Sequence, residues 1–134
     1  MKKTVKKTKK RRRGYHRGEY TSSKTGDVCK FRSSWEEKYM VHLDADPAVL
    51  SWAYEPFFIE YVSNKSTGKI RKYYPDFFVS YADGTSRLIE IKQKRKIDQP
   101  AIRKKTAAAQ GWCTTHGSTY ILLTEIELKD IGLI

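Results

Sequence analysis

The sequence predicts an α/β domain with a mixed central sheet, in the order helix, three strands, helix and strand, behind a basic arm. A capped, amphipathic stretch from Arg32 to Leu43 is typical of a helix. Two apolar stretches meet at Asp83-Gly84, a strong hairpin signal whose type I′ form places both residues at positive φ. A second helical pattern over 97–112 precedes an apolar strand over 118–124. The 134 residues are enough for one domain with a single core.

Almost all of the excess positive charge lies at the N-terminus. Residues 1–32 hold 13 Lys and Arg against Glu19 and Asp27, a net charge of +11, and the remaining chain carries +1. Residues 1–13 offer nothing apolar to bury, so they are expected to be disordered in the free protein. Such a tail binds phosphate without sequence preference; a solvated tail or a targeting signal is the alternative. We expect a basic flexible arm over 1–30 and a domain over 31–134.

Composition argues against a membrane protein and a disulfide-stabilised one. No apolar run approaches the roughly 18 residues that span a bilayer, and the basic start lacks the apolar segment of a secretory signal. Cys29 and Cys113 suit free thiols in a reducing compartment. Cys113 and His116 alone are too few for a metal site, so a loop is expected there.

The first helix carries a candidate site residue. Ser33 is a good N-cap, and Ser33-x-x-Glu36 fits a capping box. At about 100° per residue, Glu36 falls inside the apolar arc that runs from Trp35 to Met40, whereas Glu37 falls outside it. An inward-pointing acid in the first turn suits a third carboxylate of a metal site. Glu36 can therefore cap the helix, serve the site or do both, and Glu37 is expected in solvent.

Two aromatic stretches follow the helix, which Asp46-Pro47 is expected to end. Residues 52–62 and 69–81 each read as one strand, and Pro56 predicts an edge position or a bulge. The aromatic residues are expected chiefly in the core, with base stacking as the alternative. Lys72 and its basic neighbours are candidate phosphate contacts, or a solvated strand end.

The predicted hairpin carries the strongest chemical signal. Asp76 stands in an aromatic strand, and Glu90 and Lys92 share the face of the next strand opposite Ile89 and Ile91. The hairpin can bring the two carboxylates and the ammonium together. Such carboxylates bind a hard divalent cation, and the ammonium can orient a water or stabilise a phosphoryl oxygen. A solvated ion pair is the alternative, but charges in a mostly apolar strand require a partner or a metal.

The second helix is expected to start at Asp98 as N-cap with Pro100 in its first turn, and to stop at Gly111. Residues 125–134 read as a short tail. Basic residues beside the helix form a second positive patch, since acidic ligands alone repel phosphate. The residues expected to contact DNA are Arg11, Arg12, Arg13, Arg17, Arg32, Lys72, Lys94, Arg95, Lys96, Arg103 and Lys104.

Pro75-Asp76 followed by Glu90-Ile91-Lys92 resembles the PD-(D/E)xK signature of restriction-endonuclease-like nucleases. Over about 31–93 the chain resembles the head-completion nucleases of large tailed phages and, more distantly, the end-cleaving subunit of some heteromeric transposases. The matching stretches are Arg32-Ser-Ser-Trp-Glu36, Leu43-Asp-x-Asp-Pro47, the strand with Trp52, Tyr74-Pro-Asp-Phe-Phe and Ile89-Glu-Ile-Lys92. The resemblance implies a restriction-endonuclease-like αβββαβ core and the catalytic set Glu36, Asp76, Glu90 and Lys92. It also implies that Asp76, Glu90 and Glu36 bind Mg²⁺, for which Mn²⁺ can substitute.

The expected function is a Mg²⁺-dependent DNA endonuclease with largely sequence-independent backbone contacts. The resemblance implies DNA processing in phage head completion and packaging, in the cytoplasm of a bacterial host or with the virion, alongside capsid or portal proteins. A non-catalytic DNA clamp or capsid plug, and a junction-resolving or transposon-end nuclease, stay open. Homodimer formation, on which a preference for branched DNA depends, stays open too.

Overall fold

The computed structural model describes residues 16–134, in which eight strands and three helices follow one another. In chain order these are β1 Gly18–Thr21, β2 Val28–Phe31, α1 Ser34–Ala45, β3 Val49–Tyr54, β4 Ile59–Asn64, β5 Lys69–Tyr73, β6 Phe77–Tyr81, β7 Ser86–Ile91, α2 Pro100–His116, β8 Thr119–Leu123 and α3 Glu125–Asp130. A 3-10 turn at Lys94–Lys96 joins β7 to α2. None of the helices in this part of the chain has the length and apolar character needed to cross a membrane.

The central sheet has four strands in the order β3-β6-β7-β8. β6 pairs antiparallel with both β3 and β7, and β7 pairs parallel with β8. The predicted mixed sheet is therefore confirmed, and the order of helices and central strands agrees with the αβββαβ core that the resemblance implies. Two antiparallel pairs stand apart from this sheet, the hairpin β1-β2 and the ribbon β4-β5.

Each face of the central sheet has its own core. On one face, α1, α3 and the β1-β2 hairpin cover residues that include Trp52, Phe77 and Ile89. On the other face, α2 and the β4-β5 ribbon pack around Leu88 and Tyr73. A fully buried side chain such as Phe77 contributes roughly 2 kcal/mol through the hydrophobic effect. Because side chains alternate along β7, Ile89 lies in the first core and Leu88 lies in the second.

Each of the two long strands expected from the sequence is two strands. Residues 52–62 divide between β3 and β4, and residues 69–81 divide between β5 and β6. The breaks contain Pro56 and Pro75, which lack the N–H that a strand ladder needs. Glu55 takes a φ of +46° at the first break, and its N–H donates to the Asp76 carbonyl at 2.8 Å. As a result, β3 and β6 enter the central sheet, whereas β4 and β5 pair with each other to form the ribbon.

The flexible arm expected over 1–30 differs from the structure in its second half. Residues 1–15, which include Arg11, Arg12 and Arg13, lie outside the described residues. Residues 18–31 form the β1-β2 hairpin, in which Cys29 and Phe31 are buried in the core. The folded body therefore begins before residue 31, because alternate residues of this hairpin supply an apolar face.

Asp44 of α1 fastens this hairpin to the body. Its carboxylate accepts hydrogen bonds from Tyr20 Oη at 2.6 Å, Ser22 Oγ at 2.7 Å, Ser23 N at 2.8 Å and Trp52 Nε1 at 2.8 Å. Burial alone would raise the pKa of Asp44, but these hydrogen bonds outweigh it and hold the pKa well below its ordinary value. One ionised side chain thus joins β1, α1 and β3.

The turn between β6 and β7 is not the predicted type I′ turn. Gly84 has a φ of +90°, but among residues 16–134 the single non-glycine residue with positive φ is Glu55, so Asp83 does not share that conformation. The Gly84 N–H donates to the Tyr81 carbonyl at 3.0 Å, and the Tyr81 N–H donates to the Thr85 carbonyl at 2.8 Å. This fits a three-residue hairpin loop closed by a glycine bulge.

The second helix is longer than predicted. It continues through Gly111 to His116 and ends at Gly117, whose φ of +72° is the left-handed conformation of a C-terminal cap. Its N-cap is Gln99 without a side-chain hydrogen bond, while the expected cap Asp98 faces Arg103 at 3.6 Å. A glycine is tolerated inside a helix at modest cost, so the apolar pattern outweighs it.

Two further expectations near the C-terminus were wrong. Cys113 and His116 lie within α2, not in a loop; Cys113 is buried, and His116 stacks on Trp112. The expected tail contains α3, which begins with a capping box between Thr124 and Glu127.

Candidate active site

The β6-β7 hairpin holds Asp76 and Glu90 side by side. The Ile91 N–H donates to Asp76 Oδ2 at 2.8 Å, and the Asp76 backbone lowers the pKa of Glu90. The pairing of Phe77 with Ile89 in the β6-β7 ladder fixes this alignment. The hairpin therefore brings the two predicted carboxylates together, as their spacing in the sequence indicates.

Both carboxyl groups stand where ionisation is costly. Asp76 is 7% exposed, and burial, followed by the charges of Glu90 and Glu36, raises its pKa well above the usual range. Burial also raises the pKa of Glu90, against the lowering effect of Tyr73 and Lys92. Two acids in this situation retain a proton or bind a cation, because a desolvated pair of negative charges is unfavourable.

Lys92 supplies positive charge beside the pair. It follows β7 directly, and its N–H donates to the Leu123 carbonyl of β8 at 2.9 Å. Its side chain lines a small pocket with Tyr73, Glu90 and Lys105, and its charge lowers the pKa of both acids. The structure thus brings Lys92 to the same place as Asp76 and Glu90.

A buried tyrosine, which sequence reasoning assigned only to the core, holds Glu90. The Tyr73 hydroxyl donates to Glu90 Oε1 at 2.6 Å, and burial together with Glu90 raises the pKa of Tyr73, so the hydroxyl stays protonated. Tyr120 of β8 hydrogen-bonds to Tyr73 and to Thr106 of α2, and its own pKa is raised to about 12. These contacts depend on β5 leaving the central sheet, and no local pattern in the sequence signals that departure.

Glu36 reaches the site from the start of α1 and keeps a structural role there. The Ser33 hydroxyl accepts from the Glu36 N–H at 3.2 Å, as a capping residue does. Glu36 Oε1 accepts from the Arg32 N–H at 2.7 Å and from the Tyr54 hydroxyl at 2.9 Å. Its charge also raises the pKa of Asp76. Glu37, by contrast, points outward to His16 at 2.9 Å.

The donor set suits a hard cation only in part. Within residues 16–134, no group of three or more His, Cys, Asp or Glu side chains has an arrangement that would hold a metal ion. Glu36 is turned toward Arg32 and Tyr54, whereas Asp76 and Glu90 form a pair of neighbouring carboxyl groups. Carboxylate oxygens are what Mg²⁺ prefers, so this pair is the part of the site that fits such an ion.

Within residues 16–134, the basic residues expected to contact DNA fall into two groups. Some are engaged by the protein itself. Arg32 pairs with Glu55, and Lys104 Nζ donates to the Ser63 carbonyl at 2.7 Å. Lys72 Nζ lies 4.5 Å from the ring centroid of Phe58.

The second group lies at the surface. The 3-10 turn of Lys94, Arg95 and Lys96 begins two residues after Lys92, which places three cations next to the carboxylate pair in the chain. Arg17 is exposed just ahead of β1.

Comparison with known proteins identifies the family of the chain. A sequence model of the TnsA-like endonuclease N-terminal domain matches residues 46–125, which include Asp76, Glu90 and Lys92 but not Glu36. The head completion nuclease of Enterobacteria phage T4 is 30% identical over 131 aligned residues, covering 80% of this chain and 87% of that protein. The chain therefore belongs to the TnsA-like endonuclease family, as a nuclease of the head completion and TnsA-like type.

Proposed function

We propose that this nuclease hydrolyses phosphodiester bonds of DNA in a Mg²⁺-dependent reaction at Asp76, Glu90, Lys92 and Glu36. The observation that carries the proposal is the alignment of Asp76 with Glu90 by the pairing of Phe77 with Ile89 and by the Ile91 N–H, which donates to Asp76 Oδ2. A chain that buries two acids at one point keeps that arrangement at a cost in stability. A cation that the acids hold during the reaction accounts for that cost.

Each side chain has a distinct task in this scheme. Asp76 and Glu90 are the ligands for the ion, and Glu36 adds negative charge at the margin. When bound, Mg²⁺ lowers the pKa of a water and neutralises charge on the scissile phosphate. Lys92 places an ammonium beside the same phosphate, where it stabilises the charge that develops and orients the attacking water. Tyr73 holds the Glu90 carboxylate in one orientation.

The basic surface is proposed to hold the DNA backbone. Lys94, Arg95 and Lys96 follow the site directly, and the nine Lys and Arg of residues 1–13 add charge that tracks phosphates without reading sequence. Mn²⁺ is expected to substitute for Mg²⁺, since it also accepts oxygen ligands.

We also propose a biological role in phage head completion and DNA packaging, acting in the bacterial host cytoplasm or with the virion and meeting capsid or portal proteins. The support is the similarity to the T4 head completion nuclease over most of both chains. Processing of transposon ends or DNA junctions is the competing role.

The decisive experiment compares wild type with Asp76→Asn. Asparagine keeps the size of the side chain and an oxygen for the Ile91 N–H, but it removes the charge. Purified proteins are incubated with supercoiled, linear and branched DNA, with Mg²⁺, with Mn²⁺ or with chelator. We expect cleavage by wild type with either metal, none with chelator, and a loss of at least about 100-fold in the variant, because a metal ligand is removed.

Glu37→Gln is the matched control, because Glu37 lies beside Glu36 on α1 but faces His16. It should cleave as wild type does. Full activity of Asp76→Asn would overturn the mechanism. DNA binding that is equal in both proteins, without cleavage under any metal condition, would instead support the clamp or capsid plug.

A further inference from the structure

Two aromatic residues that flank the β4-β5 ribbon are exposed, and the proposed function leaves them without a role. The inner face is buried on α2 through Ile59 and Tyr73, which are paired across the ribbon. Phe58 directly precedes Ile59, and Tyr74 directly follows Tyr73. Their side chains are 44% and 49% exposed. Their ring centroids are 5.9 Å apart with the planes inclined by 55°. Most aromatic residues of residues 54–81 are in the core, as expected, but this pair is not.

The chemistry of this pair suits a nucleobase. Lys72 Nζ lies 4.5 Å from the centroid of the Phe58 ring. The ribbon from residue 59 to residue 73 carries four Lys and Arg and one acid, Glu60, a net charge of +3. Aromatic rings beside cations are the combination with which proteins hold single-stranded nucleic acid, because rings stack on bases while the cations meet phosphate. A neutral or basic protein partner would not be complementary to this charge.

The position of the pair ties it to cleavage. Tyr74 is joined to Asp76 through Pro75 alone, and its neighbour Tyr73 holds Glu90 on the opposite side of the strand. Two residues of chain span at most about 7 Å, so a nucleotide adjacent to a phosphate bound at the carboxylates would lie within reach of Tyr74. In a continuous duplex, both faces of each base are covered by neighbouring base pairs. A stacking surface at this position is useful only if a base there is unpaired.

We propose that Phe58 and Tyr74 form a stacking platform for an unpaired nucleobase beside the scissile phosphate. The preferred substrate is then DNA with an unpaired nucleotide at the cleavage point, as at a frayed end or a junction between single and double strands. This inference rests on the proposed nuclease function for its biological meaning, but the platform itself can be measured without cleavage.

The test uses DNA that carries the fluorescent base 2-aminopurine, whose emission is quenched by stacking. One probe has 2-aminopurine unpaired at the first position of an overhang, and the other has it paired inside a blunt duplex. Binding is measured with chelator present, so that no cleavage occurs. The variant is the double substitution Phe58→Leu and Tyr74→Leu, which keeps apolar bulk and removes both ring faces. The control is Val62→Ala with Ile70→Ala, two exposed aliphatic residues of the same ribbon.

Wild type should quench the unpaired probe, and the aromatic variant should lose that quenching and bind the overhang DNA about 10-fold more weakly. Both proteins should bind the blunt duplex equally, and the aliphatic control should behave as wild type. Unchanged quenching and affinity in the aromatic variant would overturn the proposal and leave this face to a protein partner. An equal loss in the aliphatic control would do the same.

The two proposals fail in different ways. A wild-type protein that quenches the unpaired probe but cuts no DNA with Mg²⁺ or Mn²⁺ would contradict the nuclease mechanism and leave the platform standing. A wild-type protein that cuts DNA while the aromatic variant quenches normally would contradict the platform alone. Unfolding midpoints in urea check that all variants are folded.

Discussion

Glu36 joins a structural and a proposed chemical role in one side chain. Its carboxylate fastens the first turn of α1 through the Arg32 N–H, and the same oxygen meets the Tyr54 hydroxyl. Its charge is close enough to raise the pKa of Asp76. A simple loss of activity in a Glu36 variant would therefore not tell a broken helix start from a missing charge.

Two substitutions in this first turn separate the roles. Glu36→Gln keeps an oxygen acceptor and removes the charge, so we expect Mg²⁺-dependent cleavage to fall by roughly 10- to 100-fold with stability little changed. Ser33→Ala removes the acceptor for the Glu36 N–H, so it should cost about 1 kcal/mol of stability and leave cleavage near wild type. Cleavage rates and urea unfolding of both variants give the answer. The opposite pattern, with activity lost in Ser33→Ala alone, would make Glu36 purely structural.

Residue-level chemistry was predictable where it depends on periodicity. The period of two places Glu90 on the side of β7 opposite Ile89, and the helical period turns Glu36 inward and Glu37 outward. Tyr73 could not be recognised, because its contact with Glu90 joins strands that are not paired with each other. The hydrogen bonds to Asp44 were missed for the same reason, since its partners come from β1, the following turn and β3.

At the scale of elements, α2 contains one glycine and is ended by another, and the two have opposite backbone conformations. Gly111 lies in the helix interior, and a Cβ there would meet nothing within 4 Å. Gly117 ends the helix at a φ of +72°, and a Cβ at this position would likewise have no neighbouring atom within 4 Å. An added Cβ would therefore meet no crowding at either glycine, and the two positions differ only in backbone conformation.

The same change to alanine should have opposite effects at these positions. Gly111→Ala should raise the free energy of unfolding by about 0.5–1 kcal/mol, because alanine restricts the unfolded chain and favours helix. Gly117→Ala should lower it by about 1 kcal/mol, because a Cβ disfavours the left-handed conformation. Urea unfolding of the two single variants tests this. Shifts of the same sign would show that Gly117 is not the helix cap.

Element boundaries were less predictable than element types. The apolar patterns of the sequence predict the helices α1 and α2, the β6-β7 hairpin and β8. The proline at 56 was recognised as a point of irregularity, but whether a proline bends a strand or ends it depends on tertiary pairing. Here the N–H of Glu55 bonds to the carbonyl of Asp76, which joins the two breaks and separates the ribbon from the central sheet.

On the scale of the whole molecule, the carboxylate of Asp44 should make stability depend on pH. The pKa of Asp44 in the folded protein is below the ordinary value of 3.8. Its contribution to the free energy of unfolding is therefore fully present above pH 3.8 and is lost as the pH falls below it. At pH 7, Asp44→Asn should lower the free energy of unfolding by roughly 1–3 kcal/mol, since charge-assisted hydrogen bonds are replaced. Urea unfolding of both proteins between pH 7 and pH 3 measures this.

The difference between wild type and Asp44→Asn should shrink below pH 3.8, because the unfolded wild-type chain then takes up a proton that the folded carboxylate does not. A difference that stays constant over this range would assign the effect to packing and not to charge.

The mixed α/β class was predictable, whereas the packing of β1 and β2 against the rest of the domain was not. That packing depends on a carboxylate from one element accepting from two others, and such a contact leaves no periodic pattern.

The separation of the site residues along the chain has a consequence for how the protein folds. Asp76 and Glu90 belong to one hairpin, whose closure involves a short loop and a small entropic cost, and hairpins of this kind form in about 1–10 μs. Pairing of β3 with β6, and of β7 with β8, joins more distant segments and is expected to be slower. The two carboxylates can therefore meet early, while Glu36 arrives only when α1 docks. A partly folded chain would therefore hold the pair of acids before Glu36 joins them.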